Sequence, residues 1–185
     1  MDDRVRASAS EPAGGDLLVV ERYIDAPPDV VFAMFVRPEL LVRWIGDSAD
    51  LDPRPGGVFR FTLGDQDACR GRYLEIDPPR RVVFTWGWER AEAIPVPADS
   101  TTVEVDLTPQ GSGTHLRLVH RGLEGDAMVL HEHGWQRFLD RLHAAATGAD
   151  PAADGPDPAG ERPDTVLRQM KESRPITDPP SNGGA

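Results

Sequence analysis

The sequence predicts an α+β fold. Two patterns carry that prediction: a run of short segments with period-two hydrophobicity, and one long segment of helical period near the end. A third observation orders them. The short segments follow one another through tight turns, which favours an antiparallel sheet over a parallel one.

The elements read in order. "DLLVVERYIDA" (16–26) is a strand, rich in aliphatic and β-branched residues. "PPDVVFAMFV" (27–36) opens with Pro and Asp, both suited to a helix start, and continues apolar. "PELLVRWI" (38–45) is a second short helix with its own Pro in the first turn. The loop "DPRPGG" (52–57) then leads into "VFRFTLG", where Phe59, Phe61 and Leu63 share one face. "ACRGRYLEIDPP" and "RRVVFTWGWE" are two strands joined by a turn at Asp77-Pro78-Pro79. In the second of them Val82, Phe84, Trp86 and Trp88 share a face. "TTVEVDLTPQ" sets Val103, Val105 and Leu107 against Thr102, Glu104 and Asp106. After the turn "QGSG", "THLRLVHRGL" sets Leu116, Leu118 and His120 against His115, Arg117, Val119 and Arg121. The sheet thus presents one large aromatic face, and the final helix is its natural cover.

That helix spans 126–146. Met128, His131, Trp135, Phe138, Leu142 and Ala145 recur at steps of three and four, flanked by Leu139 and Ala146. Gly148 is the expected stop, and Gly134 is expected to let the helix approach the sheet. The helix contains the conspicuous "HEHGW" stretch. Residues two apart on an α-helix stand about 200° apart around its axis. His131 is therefore expected inside and His133 outside, and the two cannot hold one metal ion together. A zinc-binding helix would space its histidines four apart. No metal and no cofactor are expected.

Composition narrows the function further. The formal net charge is −11, which argues against nucleic acid and against an anionic membrane surface as partners. Cys69 is the only cysteine, so no internal disulfide forms. The first fifteen residues lack the apolar core of a signal peptide, and no apolar run is long enough for a membrane span. A soluble cytoplasmic protein is expected, as monomer or homodimer. Residues 1–15 are expected to be disordered and 16–147 to form one folded domain. Residues 148–185, with seven prolines, five glycines and a net charge of −3, read as a disordered acidic tail. Within that tail "PDTVLRQMKESR" (163–174) is a candidate for a short helix.

Five pieces in order, "IDAPPDVVFAMFVRPELLVRWIG", "PGGVFRF", "GRYLEIDPPRRVVFTW", "GTHLRLVHRGL" and "HGWQRFLDRL", resemble a known family. They are similar to the domain at the C-terminus of the activator of Hsp90 ATPase (AHSA1-like), in the SRPBCC or START/Bet v 1-like superfamily. The resemblance covers about residues 17–146. It implies a helix-grip fold, in which a curved antiparallel sheet wraps a long C-terminal helix and two short helices close one end. It also implies a cavity between sheet and helix. Where the family pattern often has Trp this chain has Phe32, and where it often has a second aromatic this chain has Ile45. Both keep bulk but change cavity shape, so a ligand does not carry across.

The expected lining follows from the faces above. The sheet supplies Phe59, Phe61, Leu63, Phe84, Trp86, Trp88, Leu118 and His120, and the helix supplies His131, Trp135 and Phe138. Flat aromatic rings of this kind stack on a flat ligand, and they equally fill a plain core. The expected function is binding of a small hydrophobic or aromatic molecule. The resemblance leaves two alternatives. One is a cyclase- or dehydratase-like enzyme for aromatic, polyketide-type substrates, for which His120 and His131 are the acid/base candidates. The other is an interaction module with a chaperone-type protein partner. No nucleophile elbow or phosphate-binding loop is present in the sequence. Arg70 beside Cys69 is a possible activator of the thiol.

Overall fold

A computed structural model describes residues 17–64, 67–90 and 96–149. The candidate helix at 163–174 and nearly all of the two expected terminal segments lie outside the described residues. Ten elements follow in chain order: β1 (Leu17–Ile24), α1 (Pro28–Val36), α2 (Pro38–Leu41), β2 (Ser48–Leu51) and β3 (Val58–Leu63). Then come β4 (Asp67–Asp77), β5 (Arg81–Trp86), β6 (Thr101–Gln110), β7 (Gly113–Arg121) and α3 (Asp126–Thr147). The seven strands form one sheet of order β1-β7-β6-β5-β4-β3-β2, with every neighbouring pair antiparallel.

Local chemistry sets most boundaries. Pro28 occupies the first turn of α1 with Asp29 beside it, favourable for helix start and dipole alike. Arg37 is extended, as the residue before Pro38 must be, so α1 stops there and α2 begins. Gly148 ends α3 in the left-handed conformation at φ 80°, as anticipated from its identity. β6 alternates buried and half-buried residues from Thr101 to Leu107, the mark of a sheet with one covered face. At Leu74 the ladder between β4 and β5 slips by a residue. This bulge leaves Leu74 exposed and bends the strand, helping the sheet curve.

Three features depart from sequence expectation. β2 is not anticipated: "SADL" is short and polar, and it becomes a strand by pairing with β3. Val119, on the outward row of β7, is fully buried. Its register partners are Glu104 on β6, which pairs with both Arg81 and Arg121, and Val19 on β1. Gly134 is not a point of close approach. A Cβ there would meet only Phe138 Cε2, at an ordinary 3.8 Å. Glycine inside a helix costs about 0.5–1 kcal/mol relative to alanine. Gly134→Ala is therefore expected to stabilise the domain by about that amount in a urea titration; a loss would show hidden crowding around the helix.

The core lies between the concave side of the sheet and α3, with α1 and α2 closing one end. α3 runs nearest to β1 and α1. Over the middle of the sheet, large aromatic side chains bridge strand and helix.

A closed network of tryptophan and histidine beneath the gripping helix

The buried face of α3 consists of Ala127, His131, Trp135, Leu139, Leu142 and Ala145. His131 points in and His133 points out, as helical spacing requires. Met128 and Phe138, expected on the inner stripe, and Ala146, expected beside it, are half-buried at its margin. Opposite the helix, Phe59, Phe61, Phe84, Trp86 and Leu118 are all buried. Phe59 stacks on Phe84 at 4.1 Å between centroids, and Trp86 meets Trp135 at 4.9 Å. His120 is fully buried and His131 nearly so, with their rings perpendicular and 5.1 Å apart.

Hydrogen bonds fix both imidazoles. An indole N–H only donates, so its partner nitrogen must be unprotonated. Trp135 Nε1 donates to His120 Nδ1 at 3.0 Å, which places the His120 proton on Nε2. That N–H points at Thr101 Oγ1, 2.8 Å away, and Thr101 in turn donates to the Trp86 carbonyl at 3.0 Å. Trp86 Nε1 donates to His131 Nε2 at 3.1 Å. The His131 Nδ1–H then donates to the Ala127 carbonyl, 2.8 Å away and one turn earlier in α3. Every nitrogen of the pair has a protein partner, and both rings are neutral. Burial pushes His120 down to about 2, helped by the neighbouring His131. Burial pushes His131 down to about 4 against the opposing hydrogen bond to Ala127.

The sequence reading did not single out Thr101, although extending the alternation of Val103, Val105 and Leu107 backwards by one step places it inside. It also passed over Tyr73, whose hydroxyl ties the sheet to α1 through the Phe35 carbonyl at 2.8 Å. Cys69 is fully buried, and burial raises its thiol far above the ordinary range, so Arg70 does not activate it. Trp88 lies past the end of β5, held by isolated bridges to Cys69 and Pro97. Its indole nitrogen is buried without a hydrogen-bond partner among the described residues. No group of three or more potential ligands able to hold a metal ion occurs among the described residues. No described helix is long and apolar enough to cross a membrane.

Sheet, helix and interior together define a helix-grip domain of the SRPBCC type, with a core of aromatic rings. The chain belongs to the family of activator of Hsp90 ATPase homolog 1-like proteins, whose profile matches residues 25–147. Among solved structures, it is 40% identical to an AHSA1-like protein from Rhizobium etli, over 80% of this chain and 92% of that one, with a TM-score of 0.59. A protein from Mesorhizobium loti is 25% identical over 73% of this chain and 99% of its own, with a TM-score of 0.65. The Aha1 dimer from Colwellia psychrerythraea shares the fold at 16% identity, covering 71% of this chain and 96% of its own with a TM-score of 0.62. No curated protein sequence matches the chain.

Proposed function

We propose that this domain binds a small hydrophobic or aromatic molecule between the sheet and α3. One observation carries the reading. A row of rings runs along β5 from Phe84 through Trp86 to Trp88, each meeting the next at 5.8–6.4 Å. It passes from the packed centre to Trp88, the least buried of the four tryptophans. The row reaches the surface only at Trp88, 9% exposed, where a flat molecule would meet it first. Phe61 and Trp135 border the row from strand and helix, and Phe138 continues it beyond Trp135.

Under this reading His120 and His131 are the frame of the site. Their nitrogens already hold Trp135, Thr101, Trp86 and the Ala127 carbonyl, so neither ring offers a free lone pair to a substrate. A matching ligand at about 100 times its Kd stabilises the folded state by about 2.7 kcal/mol. Melting temperatures measured across a library of aromatic and lipid-like compounds are expected to rise for a subset of flat apolar molecules. A library in which none raises the melting temperature overturns the reading.

A further inference from the structure

The four tryptophans of the chain are all buried, and three of them donate their indole N–H to the protein. Trp44 donates to the Met34 carbonyl at 3.0 Å, Trp86 to His131 at 3.1 Å and Trp135 to His120 at 3.0 Å. Trp88, 9% exposed, donates to nothing among the described residues. A buried donor without an acceptor is costly, and native proteins seldom leave one.

The position of this indole is tightly held. The Trp88 backbone N–H donates to the Val96 carbonyl at 2.8 Å, and the residues either side are pinned by Arg70 N–H to Gly87 and Glu89 N–H to Ala68. Gly87 permits this: a Cβ there would stand 1.8 Å from the Pro97 carbonyl oxygen. The ring is set edge-on to Phe61 at 6.4 Å and to Trp86 at 5.8 Å. The rings that flank it are also uncharged. Phe61 and Trp86 are rings, the neighbouring Ala68, Cys69 and Val96 are buried and apolar, and the two histidines are neutral. A carboxylate brought here would lose its hydration without gaining a counter-charge.

We propose that Trp88 Nε1 is the polar anchor of the ligand site, and that the ligand is a neutral, flat aromatic molecule with a carbonyl-type oxygen at one edge. The oxygen accepts the indole N–H, while the rest of the molecule lies along the ring row of β5. The inference rests on the ligand-binding reading above, and one experiment separates the two. Binding of the full chain is measured for two pairs of compounds that differ by one carbonyl: fluorenone against fluorene, and benzophenone against diphenylmethane. Each ketone is expected to bind about tenfold tighter than its hydrocarbon, the net worth of one hydrogen bond. Trp88→Phe, which keeps a ring and removes the N–H, is expected to abolish that preference, whatever its effect on the affinity for the hydrocarbons themselves. In the proton NMR spectrum of the wild-type chain, one indole N–H resonance is expected to shift with ketone and not with hydrocarbon. That readout stands even where the variant does not fold. Equal binding of ketone and hydrocarbon to the wild type, or a preference that survives in Trp88→Phe, overturns the anchor and leaves the binding site standing. Failure of all four compounds to bind overturns the anchor, and together with a library in which no compound raises the melting temperature it overturns the binding reading as well.

Discussion

Lowering the pH from about 7 to about 5 is expected to remove about 4 kcal/mol of stability, a large share of the roughly 5–15 kcal/mol a domain commonly has. The two buried histidines are the cause. In the unfolded chain each takes up a proton near pH 6.5. In the folded chain burial holds His131 at about 4 and His120 at about 2. Between these values the unfolded state binds more protons, so stability is complete above about pH 6.5 and falls as the pH falls. The groups packed around the pair are Trp86 on β5, Thr101 on β6, Trp135 and the Ala127 carbonyl on α3, and each imidazole for the other. None of these supplies a negative charge to stabilise an imidazolium. The carboxylates of the outer ion pairs act in a lower window. Arg60 holds Glu89 below the ordinary carboxylate range and Arg72 does the same for Asp99, so both stay ionised at pH 5. Urea unfolding followed at several pH values tests the expectation. Its slope should nearly vanish in a His120→Leu/His131→Leu double variant; a slope that persists there places the titration elsewhere.

His120→Leu alone is expected to cost about 2–4 kcal/mol at neutral pH, although leucine fills similar space. The Trp135 N–H would lose its acceptor in a fully buried position, and Thr101 Oγ1 would lose a donor while keeping its own bond to Trp86. Adding Trp135→Phe removes the stranded donor. The double variant should then be more stable than the sum of its parts by about 1–2 kcal/mol, the signature of a direct bond in a double-mutant cycle. Strict additivity of the two changes would show that this bond contributes nothing net.

The sequence made some of this legible and hid the rest for identifiable reasons. Steps of three and four place His131 and Trp135 on one face of α3, and steps of two place Phe84 and Trp86 on one face of β5. Both faces are the buried ones. What spacing does not reveal is the partner of each polar atom. His131 meets a tryptophan 45 positions away and His120 meets one 15 positions away, contacts created only when the helix docks on the sheet. Trp88 shares the β5 row with Trp86 and looks the same in sequence, yet one indole finds an acceptor and the other does not. β2 escaped because a four-residue polar segment carries no period of its own and depends on β3 for its bonds. Gly134 misled because a glycine beside a buried tryptophan suggests close packing, whereas here it faces mostly open space.

The sheet order has a consequence for how the chain must fold. β1 is an edge strand whose sole partner in the sheet is β7, matched from Leu17 with Arg121 to Ile24 with Thr114. The first strand to be synthesised therefore has no neighbour until the last strand has appeared. Its other close contact, α3, comes later still. A chain emerging from the ribosome can pair each strand from β2 to β6 with its neighbour in sequence, but closing the grip awaits contacts about a hundred residues apart in sequence. Loops of that size close slowly, and topologies dominated by them fold on the order of milliseconds to seconds. During that interval the aromatic face of β3 to β5 stands open to water.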